Sequence, residues 1–196
     1  DRYDSFFSMI QYDKMELLII GAFLLLIVTV VSKNAFTYDD AAFLLLSVLY
    51  IGISFYYFYH TRAGEAGLAT ILFVLITIWV TDSGAYFVGR SLGKRKLWPE
   101  ISPNKTVEGF FGGIACAIIA SILFYFFNVL DYNIGKMMII ALLIAVFGQL
   151  GDLVQSAYKR HYGVKDSGNL LPGHGGILDR FDSLLFVLPI LHFFIF

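Results

Sequence analysis

The chain has 196 residues, 58% of them hydrophobic and 15% charged, against about 25% charged in a soluble domain. Its mean hydropathy of +0.74 is that of a chain built for lipid, and a net charge of −1 with the basic residues clustered in loops excludes a nucleic-acid surface. A single cysteine, Cys116, excludes an intrachain disulfide and a Cys-based zinc site.

Residues 1–14 mix polar and aromatic side chains and lack the basic and apolar regions of a signal peptide. With no initial Met, the chain is expected to be a fragment of a longer protein with membrane segments upstream. About 20 apolar residues cross the hydrocarbon core, which predicts six spans near 15–31, 41–59, 68–88, 109–130, 137–158 and 183–196. The last is short and admits an earlier start near Ile177. The fold class expected is all-α: a polytopic helix bundle forming one integral membrane domain over 1–196, with a polar site near its cytoplasmic face.

The end of span three reads Thr81-Asp82-Ser83-Gly84-Ala85-Tyr86, which puts Asp82 and Tyr86 on one helical face. The following loop holds Arg90, Lys94, Arg95, Lys96 and Lys105. Read as topology signals, these cations mark the cytoplasmic side; for Lys94, Arg95 and Lys96 that reading and a ligand-facing one stand level. Gly109, Gly112 and Gly113 open span four, where small residues allow close helix packing. Span five ends with Asp152, Ser156 and Lys159 at i, i+4 and i+7, again one face. Its loop adds Arg160, Lys165 and Arg180 on the same side of the membrane as the earlier cations.

Charge at the bilayer centre costs roughly 2.5–3.5 kcal/mol on insertion scales, so ionisable groups here are functional candidates. Asp179 and Asp182 are one helical turn apart, and Asp152 on another helix completes a set of hard oxygen donors. Mg2+ takes one or two carboxylates and fills its shell with water and substrate phosphates. Pro172-Gly173-His174-Gly175-Gly176 precedes a helix start at Ile177, an arrangement that turns backbone N–H groups toward an anion. His174 has phosphate-like company; His60 and His192 are expected in packing or at the interface, and His161 in an exposed loop. Gly89-Arg90-Ser91-Leu92-Gly93-Lys94-Arg95 has the wrong spacing for a P-loop, and neither a zinc-protease nor a serine-hydrolase motif occurs. Metal-assisted phosphoryl or nucleotidyl transfer remains.

The signature region 152–182, with Ser156-Ala157-Tyr158-Lys159-Arg160, Lys165-Asp166-Ser167-Gly168 and Leu171-Pro172-Gly173-His174-Gly175-Gly176-Ile177-Leu178-Asp179-Arg180-Phe181-Asp182, resembles that of the phosphatidate cytidylyltransferases, or CDP-diacylglycerol synthases. A second block, Asp82 to Tyr86, Gly89-Arg90, Gly93-Lys94 and Ile101 to Gly109, resembles the same family, with Asn104 where a Lys is common. The resemblance implies transfer of the cytidylyl group of CTP to phosphatidic acid, giving CDP-diacylglycerol and pyrophosphate. It implies Mg2+ and allows a second cation, K+ or Mg2+, beside it. It places the enzyme in a bacterial inner or plasma membrane with its site facing the cytoplasm, and leaves a homodimer open.

By the same resemblance Asp152, Asp179 and Asp182 stand where the family's metal-binding acids do. Together with Lys159 and Arg160 they form the expected catalytic set. Asp82, Lys105, Ser156, Lys165, His174, Gly175, Gly176 and Arg180 form the expected substrate-binding set. Two alternatives differ in substrate or class: a CTP-dependent enzyme acting on a polyprenol or ether lipid, and a cation-coupled transporter, which would not account for the glycine turn and clustered cations.

Overall fold

The computed structural model describes residues 14–168 and 176–195. They fall into two compact units, one ending at Gly52 and the other starting at Ile53. In the first, α1 (Lys14–Val31) and α2 (Tyr38–Val48) are joined by a turn in which Lys33 and Asn34 take positive φ. Helix α2 starts where it does because Thr37 and Asp40 form a capping box: Thr37 Oγ1 accepts from the Asp40 N–H, and Asp40 accepts from the Thr37 N–H. A π-helical turn, Leu49–Ile53, follows α2 in the chain.

The second unit holds α3 (Ser54–Ala63), α4 (Gly67–Leu92), a hairpin of β1 (Lys96–Trp98) and β2 (Ser102–Thr106), α5 (Val107–Phe126), α6 (Ile134–His161) and α7 (Leu178–Phe194). Its core is assembled from Phe73, Val74 and Ile78 of α4, Ala117 of α5, Met137, Ile140 and Ile144 of α6, and Leu184, Leu188 and Leu191 of α7. By length and composition four segments can cross a membrane: Tyr38–Ala63, Gly67–Leu92, Val107–Phe126 and Ile134–His161. The stretch Met15–Val31 is a shorter apolar helix. The protein is an integral membrane helix bundle.

Each expected span corresponds to a helical segment, with edges that differ for identifiable reasons. The fourth stops at Phe126 rather than near 130, because the chain turns out through Asn128 at φ 48, a left-handed position that Asn tolerates after a helix. The third runs on to Leu92, carrying Arg90 on helix. At the sixth, α7 is not among the four segments long and apolar enough to cross a membrane; it starts at Leu178, ahead of the expected 183–196, so Asp179 and Asp182 occupy its first turns before that stretch. The loop after α4 contains the antiparallel hairpin, in which Lys96 pairs with Thr106 and Trp98 with Ser102. It is a small addition to the all-α plan.

Two close approaches position the site. Helices α4 and α5 meet through glycines: a Cβ on Gly109 would lie 2.6 Å from the Ala85 carbonyl oxygen, one on Gly113 2.8 Å from that of Thr81, and one on Gly84 2.6 Å from Cys116 Sγ. The packing role expected of the glycines at the start of span four is met, and Cys116 packs against Gly84. Helices α6 and α7 meet at Gly151, where a Cβ would lie 2.7 Å from that of Phe186 and 2.9 Å from the Asp182 carbonyl oxygen.

Within α7, Pro189 has no N–H to offer Leu185 four residues back. The buried Ser54 Oγ donates to that Leu185 carbonyl at 2.5 Å, which satisfies in a water-poor setting the acceptor that proline would orphan.

Candidate active site

A pocket of about 700 Å3 opens among α4, the hairpin, α5, α6 and α7. Asp82 comes to it from α4, Asp152 from α6, and Asp179 and Asp182 from α7. The approach at Gly151 brings Asp152 beside the first turns of α7, and the glycine contacts of α4 and α5 bring Asp82 to the same space. The carboxylates of Asp82, Asp152 and Asp182 repel one another there, and Lys105 opposes that repulsion.

Lys105 reaches the pocket from β2. Its Nζ lies 2.5 Å from Asp152 Oδ2 and 3.5 Å from the Gln149 carbonyl oxygen. Ser156 Oγ donates to Asp152 Oδ1 at 3.4 Å, as their shared helical face predicts. The buried Gln149 ties α6 to α5, its Nε2 donating to the Phe110 carbonyl at 3.3 Å and to the Ala145 carbonyl at 3.0 Å.

Asp179 is held differently. Its Oδ1 accepts from Lys159 Nζ at 2.8 Å. Its Oδ2 accepts from the Ser167 N–H at 2.8 Å, Ser167 Oγ at 2.9 Å and the Gly176 N–H at 2.9 Å. Burial would raise the carboxyl's pKa, but the hydrogen bonds from Lys159, Ser167 and Gly176 outweigh it and leave Asp179 below the usual carboxylate range. Gly176 must be small, since a Cβ there would lie 2.7 Å from the Gly168 nitrogen. The result is a clasp that joins the stretch after α6 to the first turn of α7.

The pocket therefore gathers Asp82, Lys105, Asp152, Asp179 and Asp182 of the residues expected from sequence. Ser156, Lys159 and Gly176 attach to its acids from outside the lining. Arg160 turns elsewhere, its Nε donating to the Ile101 carbonyl at 3.4 Å; Lys165 and Arg180 are exposed and do not line the pocket. His174 and Gly175 lie outside the described residues. Three cations sequence reasoning left undecided or unassigned, Arg90, Lys94 and Lys96, do line it. The signal for Arg90 was present: it continues the helical row of Asp82 and Tyr86 by one more turn.

The pocket's acids are hard oxygen donors from three helices, which suits Mg2+ in kind. Among the described residues no three His, Cys, Asp or Glu side chains converge closely enough to form a cage. That is compatible with an ion that takes one or two carboxylates and leaves its other positions to water and phosphate.

The model of the cytidylyltransferase family matches residues 2–196. The chain belongs to that family. Among curated members it is 56% identical to the phosphatidate cytidylyltransferase of Bacillus subtilis over 190 residues, which cover 96% of this chain and 71% of that one. It is 55% identical to the phosphatidate cytidylyltransferase of Staphylococcus epidermidis over 183 residues, 93% and 70% of the two chains. The Staphylococcus aureus protein of the same name is 52% identical over 183 residues, with the same coverage. In this cytidylyltransferase both resemblance blocks contribute to one pocket: Asp82, Arg90 and Lys105 from the first, Asp152, Asp179 and Asp182 from the second.

Proposed function

We infer that this chain transfers the cytidylyl group of CTP to phosphatidic acid, forming CDP-diacylglycerol and pyrophosphate. The observation that carries the reading is the pocket in which acids from three helices face cations from a hairpin at one end of a membrane bundle, together with family membership and relatives named for this reaction. Phosphatidic acid is anionic at neutral pH, so its phosphate oxygen can attack the α-phosphorus of CTP without a general base, and pyrophosphate leaves in line.

Asp152, Asp179 and Asp182 would hold Mg2+, which when bound supplies charge neutralisation for the triphosphate and the departing pyrophosphate. The chain's own groups do the remaining work. Lys105 holds Asp152 in place and limits repulsion among the acids. Ser156 orients the other Asp152 oxygen. Lys159 and the Ser167 and Gly176 N–H groups fix Asp179 at the start of α7. The basic loops favour a pocket that faces the cytoplasm, where CTP is found.

The test is to incubate the purified full-length protein with labelled CTP and phosphatidic acid, with Mg2+ or with EDTA, and extract the lipid. Labelled CDP-lipid formed with Mg2+ and absent with EDTA is the expected result. Labelled product only from a polyprenyl or ether-lipid phosphate would replace the acceptor; no nucleotidyl transfer to any lipid phosphate would end the reading.

A further inference from the structure

Arg90, Lys94 and Lys96 line the same pocket as the acids, but at the hairpin and the end of α4 rather than on α6 and α7. We propose that these three cations form the subsite for the lipid substrate's phosphate, an inference that rests on the reaction just proposed.

Three observations support it. First, the cations are presented by built structure. Arg90 follows Tyr86 by one helical turn, and its Nη1 donates to the Tyr86 hydroxyl at 3.3 Å. The Lys94 and Arg95 N–H groups donate to Glu108 Oε2 at 3.0 and 3.2 Å, which pins the hairpin entry to the first turn of α5. Lys96 is set by its pairing with Thr106, next to Lys105. Glu108 is thus a positioning residue for the rim.

Second, among the described residues neither the Lys94 nor the Lys96 ammonium has an ion-pair partner. Lys105 and Lys159 each hold an Asp. Charge without a protein partner, lining a pocket, suits an anionic ligand that brings its own negative charge.

Third, the surroundings distinguish a lipid phosphate from a triphosphate. Phe87, whose ring contacts Tyr86 at 5.4 Å between centroids, is exposed, as are Leu92 and Trp98 on either side of Lys94 and Lys96 in the chain. Trp at the end of a membrane bundle seats at the headgroup level. A phosphomonoester carrying acyl chains can lay those chains along this apolar surface while its phosphate reaches the cations. A nucleoside triphosphate has no such tail.

The rival reading is that the loop's positive charge only sets topology. Arg95 separates the two. It has the same charge and sits between Lys94 and Lys96, but it does not line the pocket.

The experiment measures KM for phosphatidic acid at saturating CTP, and KM for CTP at saturating phosphatidic acid, with the full-length protein in mixed micelles. The variants are Arg90→Gln, Lys94→Gln/Lys96→Gln, Lys94→Arg/Lys96→Arg and Arg95→Gln. Losing a charge-assisted phosphate contact should raise KM for phosphatidic acid about tenfold or more in the two Gln variants that alter the rim, with KM for CTP within about twofold. The double Arg variant should restore affinity, and Arg95→Gln should match wild type. A rise in KM for CTP instead, an equal effect from Arg95→Gln, or no change in any variant would overturn the proposal while leaving the reaction standing. Wild-type protein that makes no CDP-lipid would instead overturn the reaction itself.

Discussion

Two stretches rich in cations flank the site and use their charge differently. On the side of α6 and α7, Lys159 grips Asp179 and Arg160 reaches the Ile101 carbonyl of the hairpin turn, so both side chains hold the polypeptide. On the side of α4 and the hairpin, Arg90, Lys94, Lys96 and Lys105 line the pocket. Helical rise explains part of the difference. Lys159 is seven residues beyond Asp152, about 10 Å further along α6, so it shares that residue's face but not its depth. The hairpin, by contrast, brings Lys105 back against Asp152 through antiparallel pairing. A shared helical face predicts direction; the tertiary arrangement decides which group reaches the cavity.

Removing groups from each side separates the two uses of charge. The largest effect is expected at the acids both sides surround: Asp152→Asn should lower CDP-lipid formation by roughly 10²–10³, measured as turnover with saturating substrates. Turnover within a few-fold of wild type would mean that the pocket is not the reaction site. Next, Lys159→Met should act on structure, because it leaves the partly buried Asp179 without its cation. A cost of about 1.5–3 kcal/mol is expected for a hydrogen bond to a charged group, read as a lower melting temperature and faster proteolysis after α6. If only KM changed, Lys159 would belong with the hairpin cations.

The Asp179 clasp also has a pH signature. A carboxyl whose folded pKa is depressed contributes stability that is present above its unfolded value, about 4, and lost as pH falls through the lower folded value. Wild-type melting temperature should therefore fall more steeply below about pH 4 than that of Asp179→Asn; parallel curves would contradict the clasp.

Lys105→Met on the other side should reduce turnover roughly tenfold, since its pair with Asp152 is partly solvent-accessible and worth less than a buried one. The smallest effect is expected at Arg160→Ala. Its long hydrogen bond to the Ile101 carbonyl is exposed, so stability should shift by less than about 0.5 kcal/mol and KM for CTP should hold steady. A large rise in that KM would put Arg160 in the site and erase the contrast between the two sides.

Much of this was legible in the chain. Six apolar stretches predicted the helices because the bilayer imposes a length on each span. Asp152 and Ser156 were placed on one face by helical periodicity, and they meet. The hairpin was not read, since Lys96-Leu97-Trp98 is too short to show alternation and Ser102-Pro103-Asn104-Lys105-Thr106 has little apolar content. Gly176 was read as part of an anion cradle from its neighbours, but its N–H is taken by Asp179. The competition is local, since Asp179 lies three residues on in the first turn of α7 and reaches back as a helix-start acid does; the glycine-rich composition drew the reading to an external anion instead.

What the sequence determined by itself was the class of molecule and of chemistry. Hydropathy sets how many segments can enter lipid, and the two motif blocks identify a family that moves cytidylyl groups. What only the tertiary structure decided was which charges meet. The glycine contacts of α4 with α5 and of α6 with α7 bring Asp82, Asp152 and Asp182 to one pocket, and the hairpin turns Lys105 toward it. Coulombic and hydrogen-bonding energies depend on separations of a few ångströms, and such separations arise from packing between segments far apart in the chain.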